Sequence, residues 1–173
     1  MIYAPSEDSF LLAECVRHYR GRSALEIGVG SGIILEALEA RFDMVAGTDI
    51  DPEALRSCKG RNRALLVCCD AATAFSLEKR FDLIVSNPPY LPSDEKVVDR
   101  TVHGGPSGIE TTIEFLESAL PLLAENGRIL VVVSSLADST GLGNFAAREN
   151  LKRKLKMEKK LFYETLSVIE LAR

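Results

Sequence analysis

The sequence predicts an α/β protein with a doubly wound, mostly parallel sheet, and three observations carry that prediction. Short apolar runs rich in Val, Ile and Leu recur along the chain, nearly continuous rather than alternating, as strands covered on both faces are. Segments of helical period lie between most of them, the spacing that right-handed crossovers require. A glycine-rich turn, EIGVGSG (26–32), leads from the first run straight into a helical segment.

In order, the chain opens on SEDSFLLAECVRHYRG (6–21), a helix with Ser6 as N-cap, Ser9 reinforcing the turn and Gly21 as its stop. SALEI (23–27) is the first strand, SGIILEALEARF (31–42) the next helix and MVAGTD (44–49) the second strand. Pro52 suits the first position of a helix over PEALRSCKGR (52–61). ALLVCC (64–69) and FDLIVS (81–86) are the third and fourth strands. IETTIEFLESALPLLAENG (109–127) reads as the longest helix, kinked or restarted at Pro121 and ended by Asn126-Gly127. RILVVVS (128–134) is the fifth strand. LKMEKKLFY (155–163) and ETLSVIELA (164–172) follow as a pair without a helix between them, which suggests an antiparallel edge. With no repeat, linker or low-complexity segment, residues 1–173 are expected to form one domain.

Composition narrows the function. The hydrophobic and charged fractions, 46% and 27%, are those of a soluble globular protein rather than a disordered or collagen-like one. No apolar stretch approaches the ~18 residues of a membrane span. MIYAPSEDSF lacks the basic and apolar regions of a signal peptide, so the expected location is the cytoplasm. Cys15, Cys58, Cys68 and Cys69 include no C-x-x-C spacing, and with only His18 and His103 beside them no structural zinc site is expected. A formal net charge of −4 argues against a broad nucleic-acid surface.

Gly28, Gly30 and Gly32 allow a tight turn and let a ligand lie against bare backbone where the next helix begins. Asp49 closes the second strand about twenty positions beyond Gly28, the spacing at which a carboxylate meets ribose hydroxyls. The G-x-G-x-G spacing differs from the dinucleotide pattern, and Glu26 would repel a pyrophosphate. That acid suits the cationic methionine end of S-adenosylmethionine instead. Asp70, after the third strand, is placed to accept from an adenine amino group. Any one of these acids alone would pass for a solvated helix cap; three at successive strand ends around a glycine loop do not.

The fourth strand ends in SNPPYLPSD (86–94), a stiff segment without a Ser/His pair, a catalytic cysteine signature or metal ligands close by. Asn87 offers its side-chain and backbone carbonyls and Pro88 its own, and neither proline has an N–H to compete for them. A rigid set of acceptors can hold both hydrogens of a planar NH₂ group while its lone pair faces a methyl donor, with Tyr90 stacking on the plane. Such a nitrogen gains little from an ordinary base before it becomes tetrahedral. Catalysis then comes from positioning and from acceptors that strengthen as charge develops.

EIGVGSG, TDID, CCDA and NPPY, in this order, resemble the class I S-adenosylmethionine-dependent methyltransferases carrying an (N/D)PP(Y/F) motif. YAPSEDSFLL, HGGPSGIE and ETLSVIEL make the whole chain similar to the HemK family of protein glutamine methyltransferases, in its short archaeal and eukaryotic branch. The resemblance implies a Rossmann-like, seven-stranded sheet with an antiparallel last strand, and S-adenosylmethionine as cofactor. Loop and resemblance together give Ser9, Glu26, Gly28, Gly30, Gly32, Asp49, Ile50, Asp70, Ala71 and Asn87 as the cofactor site. Asn87, Pro88 and Tyr90 are the catalytic set. The family's acid in the first helix segment appears as Glu7-Asp8, and Ser9 stands where the family usually has Thr, a change that keeps the hydroxyl. The family's substrate is the glutamine of the GGQ loop in class 1 translation termination (peptide chain release) factors, and a small zinc-binding activator protein is its common partner.

An apolar edge strand at 64–69 needs cover, either from that activator or from the helix PEALRSCKGR and its loop. Arg148, Lys152, Arg153, Lys154, Lys156, Lys159 and Lys160 form a basic stretch expected to be a solvated face of a helix or hairpin, ahead of a contact with ribosomal RNA or an acidic substrate face. His103, in the glycine-rich TVHGGPSGIE, is expected to be a loop polar residue on a segment mobile until substrate arrives. Two competing functions remain: N6 methylation of adenine in DNA or RNA, which the same motif serves but which wants a basic channel, and a nucleotide-binding module without catalysis.

Overall fold

The structure is a computed structural model that describes residues 4–60, 63–76, 78, 80–93, 99 and 101–173. Tyr3 of YAPSEDSFLL, Arg61 of PEALRSCKGR and Asp94 of SNPPYLPSD lie outside the described residues.

Among the described residues, seven strands form one sheet: β1 (Gly21–Ile27), β2 (Phe42–Asp49), β3 (Leu65–Cys68), β4 (Phe81–Ser86), β5 (Leu123–Ser134), β6 (Lys152–Lys160) and β7 (Thr165–Ala172). Their order is β3-β2-β1-β4-β5-β7-β6. The first five pair in parallel, while β7 runs antiparallel to both β5 and β6. The last strand is therefore antiparallel as expected, but it lies inside the sheet and β6 forms the edge. No described helix is long and apolar enough to cross a membrane.

Among the described residues, five α-helices cover the two faces: α1 (Glu7–Val16), α2 (Ile33–Glu39), α3 (Pro52–Cys58), α4 (Glu110–Ala119) and α5 (Ser139–Arg148). Leu12, Val16, Leu35 and Leu38 bring α1 and α2 onto one core, which Leu55 and Cys58 of α3 extend. Leu116 of α4 with Leu142 and Phe145 of α5 build the core on the opposite face. Each fully buried Leu or Ile contributes roughly 1.5–3 kcal/mol of apolar burial. At α3, Asp51 accepts from the Glu53 amide at 2.9 Å and Pro52 takes the first turn. That cap contributes ~1 kcal/mol.

Three local expectations need correction. Gly21 does not stop α1, which ends at Val16; it begins β1. The helix expected over 109–127 stops at Ala119, tightens into a 3-10 turn at Leu120–Leu122 and gives way to β5 at Leu123. Pro121 has no amide to continue the ladder, and Leu122 and Leu123 are drawn into the core beside Phe81. Asn126-Gly127 thus sits where β5 shifts register against β4. Helix α5 was not anticipated at all, because Gly141 and Gly143 give STGLGNFAAR poor intrinsic propensity. Its cap (Asp138 accepting from the Thr140 amide) and its buried Leu142, Phe145 and Ala146 hold it instead. The HGGPSGIE stretch bonds to the segment after NPPY: Leu91 donates to the Val102 carbonyl, Gly104 to that of Leu91 and Ser93 to that of Gly105, each at 2.9 Å.

Candidate active site

A cavity of about 520 Å³ opens at the carboxyl ends of the parallel strands. Its floor is the glycine loop. Gly28, Gly30 and Gly32 adopt φ of +80°, +50° and +82°, a region in which side chains are strained, so the loop can curl over the end of β1 only with glycine there. Gly47, inside β2, serves differently: a Cβ there would lie 2.6 Å from Val29 Cγ2, so its absence lets the loop settle on the sheet. Asp49 fixes the loop's outer edge, its Oδ2 accepting from the Gly30 amide at 2.9 Å and its Oδ1 from the Asp51 amide at 2.8 Å.

The cavity gathers Ser9, Glu26, Gly28, Gly30, Asp49, Ile50, Asp70, Ala71, Asn87, Pro88 and Tyr90, nearly the whole of the expected set. Gly32 is the exception, since it sits behind the lining as the N-cap of α2. The three acids end or follow successive strands as expected. No histidine, cysteine, lysine or arginine is among the described lining residues. His103 stays out: its Nδ1 accepts from the Asp99 amide at 2.9 Å and so holds a turn.

Further groups meet at the cavity beyond that set. Asp8, buried in the first turn of α1, accepts from Ser6 Oγ (2.8 Å), Ser9 N (2.6 Å) and Ser9 Oγ (3.1 Å) on one oxygen. Its other oxygen accepts from the Tyr90 hydroxyl at 3.0 Å, tying α1 to NPPY across the cavity mouth. Ser6 thus occupies the N-cap position without capping the helix through its side chain. Phe115, from α4, packs at the glycine loop, 3.6 Å from where a Cβ of Gly28 would be. Glu164, from the β6–β7 turn, also lines the cavity and accepts from Ser134 Oγ. The acid doublet Glu7-Asp8 was the signal for Asp8; nothing local marks Phe115 or Glu164.

The polar groups divide sharply. Both carboxylate oxygens of Glu26, Thr48 Oγ1 and Asn87 Oδ1 are buried and without a hydrogen-bond partner. Burial holds the Glu26 carboxyl well above the ordinary carboxylate range, and the nearby Asp49 charge pushes the same way; the Leu35 amide pulls weakly downward without reaching hydrogen-bond geometry. Unfilled buried acceptors cost about 1–3 kcal/mol each, so a cavity lined by several is shaped for a ligand that brings donors and positive charge.

A doubly wound sheet of this order, with an acid-lined cavity over a glycine loop and an NPPY strand end, defines a class I methyltransferase. Residues 6–157 match the methyltransferase small domain model, and the chain belongs to that family. It is similar to a putative protein N5-glutamine methyltransferase of Methanocaldococcus jannaschii, 29% identical over 97% of this chain and 90% of the relative. A release factor glutamine methyltransferase of Bradyrhizobium diazoefficiens is 34% identical over 61% of this chain, which spans only 41% of that longer relative. Among solved structures, the E. cuniculi Mtq2-Trm112 complex, responsible for methylation of the eRF1 translation termination factor, superposes with a TM-score of 0.83 at 24% identity, over 99% of this chain and 98% of that one. The cofactor of this class is S-adenosylmethionine, and the residues present fit it. Unpartnered Glu26 can receive its cationic end, and no cationic side chain among the described lining residues is arranged for a phosphate.

Proposed function

We propose that this chain methylates the side-chain amide of a protein glutamine, that of the GGQ loop in a class 1 translation termination factor, in the cytoplasm. When bound, S-adenosylmethionine supplies an electrophilic methyl group. Glu26 would receive its cationic methionine end, with Ser9 as a further contact. The Asp49 oxygens keep lone pairs beyond those used by the Gly30 and Asp51 amides and accept from the ribose hydroxyls. Asp70 would accept from the adenine amino group, with Ile50, Ala71 and Phe115 as further contacts. Asn87 Oδ1 and the carbonyl of Pro88 accept both hydrogens of the substrate amide, and Tyr90, its hydroxyl fixed on Asp8, presents its ring to the amide plane.

The observation that carries this reading is Asn87 Oδ1, a buried acceptor without a partner on a cavity-lining residue beside two prolines that offer no amide of their own. Held by two acceptors, the amide nitrogen stays planar with its lone pair out of plane. As it gains positive charge those hydrogen bonds strengthen, the differential stabilisation that lowers a barrier. The surplus proton, acidic once the nitrogen is tetrahedral, leaves to water, consistent with a lining in which no histidine, lysine or cysteine has been described.

A small zinc-binding activator is part of the proposal. Helix α3 packs Leu55 and Cys58 on the core beneath one face of β3, but Met44, Ile50 and Leu65 remain 63%, 62% and 63% exposed. An added strand on β3 would cover that apolar margin. The relatives' named activities support the substrate. Incubation with labelled cofactor and a release factor, its Gln→Ala variant, and DNA or tRNA provides the test. Label is expected on the unmodified factor alone. Label persisting on the variant removes the loop glutamine, and label on nucleic acid instead moves the reaction to adenine.

A further inference from the structure

The β6–β7 hairpin is left almost unused by the reaction above. Its turn, closed by Leu161 N donating to the Glu164 carbonyl at 2.8 Å, reaches the cavity through Glu164. Beside it Phe162 and Tyr163 stand 90% and 83% exposed. Their rings stack edge to face, with centroids 4.6 Å apart and planes at 82°. They pack on each other rather than on a core. Strand β6, KRKLKMEKK, then runs away from the tip as the sheet's edge. Lys156 is answered by Glu170 and Lys159 by Glu7. Lys152, Arg153, Lys154 and Lys160 make no ion pair among the described residues, in a chain whose formal net charge is −4. Lysines on an edge discourage strand pairing, and that role accounts for the strand. It does not account for two exposed rings at the cavity's rim.

We propose that this hairpin is a docking site for the protein that carries the acceptor: Phe162 and Tyr163 enter an apolar socket, and the outer lysines of β6 meet carboxylates around it. The inference rests on the protein-substrate reading and names where that substrate is gripped. Charge pattern selects the occupant. Asp8, Glu26, Asp49, Asp51, Asp70 and Glu164 line the cavity beside the hairpin. A nucleic acid would have to bring phosphates against those acids to reach the lysines. A protein can offer an uncharged loop to the cavity and an acidic flank to β6. Aromatic anchors flanked by complementary charge are the usual energetic centre of such contacts, the charges acting mainly on the association rate.

The test compares the unmodified enzyme, Phe162→Ala/Tyr163→Ala and Lys154→Glu/Lys160→Glu on whole release factor and on a short peptide containing its acceptor loop. The aromatic pair variant is expected to raise KM for the whole factor about thirtyfold. The charge variant is expected to slow association and flatten its salt dependence. The kcat value, cofactor Kd and peptide kinetics are expected to hold in both. Unchanged KM for the whole factor overturns the proposal, as does an equal loss on the peptide, which would mark a structural role. Loss of polyuridine binding with protein kinetics intact also overturns it and assigns the hairpin to nucleic acid. If the unmodified enzyme transfers no label to the factor, the glutamine reading fails by itself. The hairpin is then judged by direct binding of the factor, where equal affinity of enzyme and variants rejects it.

Discussion

Two buried carboxylates face the same cavity under opposite conditions. Asp8 accepts hydrogen bonds from Ser6, Ser9 and Tyr90, while Glu26, 0% exposed, has none on either oxygen. Asp49 stands between the two: held by two amides, it anchors the loop and keeps lone pairs for a ligand, whereas Asn87 Oδ1 is held by none. Satisfied acceptors build walls: each fixes a turn, a loop or a ring where local propensity alone would not. Unsatisfied ones lower stability and have no structural return. Thr112 Oγ1, on α4, is also unpartnered but lies away from the cavity; within the cavity the contrast between satisfied and unsatisfied acceptors predicts opposite signs for substitutions at Asp8 and at Glu26 or Asn87.

The largest effect is expected at Asn87. Asn87→Ala removes an acceptor that strengthens only as charge develops, so kcat should fall roughly 10²–10³-fold, with the melting temperature unchanged or raised. A variant that loses activity and stability together would place Asn87 among the walls. Next comes Glu26→Gln, which keeps shape and removes charge. Cofactor Kd, by calorimetry, should rise about tenfold to a hundredfold as a charge-assisted contact is lost. The apo protein should gain stability near neutral pH.

Acidity sharpens the Glu26 comparison. Its carboxyl is raised above the ordinary value of 4.5, by burial first and by the Asp49 charge second. A folded-state value above the unfolded one means stability is fully present at pH below the unfolded value and is lost as pH climbs through the folded one. Chemical denaturation should therefore show the apo protein weakening from pH ~4.5 upward, with Glu26→Gln flatter and the two converging in acid. Binding of a cationic ligand favours the ionised form, so cofactor binding should release a proton and tighten over the same rise in pH. Parallel curves for the two proteins would leave Glu26 without the assigned burden.

Much of this was legible beforehand. The five parallel strands, the glycine loop, the acids at 26, 49 and 70 and the NPPY end follow from apolar runs and punctuation that act over a few residues. What was not legible depends on distance. Helix α5 has a sequence poor in propensity and owes its existence to Leu142, Phe145 and Ala146 finding a core. Residues 122–127 carry a helical pattern that Pro121 interrupts and Phe81 captures as strand. Phe115 and Glu164 reach the cavity from elements remote in sequence, and the Asp8–Tyr90 bond spans most of the site. Local pattern shows which residues carry chemistry; the packing that decides which of them are satisfied is invisible to it.

The smallest effect, and the finest test of the comparison, lies at Asp8. In Asp8→Asn the remaining oxygen can still accept from the Ser9 amide, while the new NH₂ can donate to the Tyr90 hydroxyl, which accepts as readily as it donates. Only the charge assistance is lost, about 1 kcal/mol, and kcat should hold because the ring stays tethered. Asp8→Ala removes the bond itself. Stability should then fall by about 1–3 kcal/mol, and kcat should fall as Tyr90 is released, with a smaller rise in cofactor Kd from the freed Ser9. If the two variants lose kcat equally, the charge of Asp8 matters beyond its hydrogen bonds, and it crosses from the scaffold side of the cavity to the ligand side.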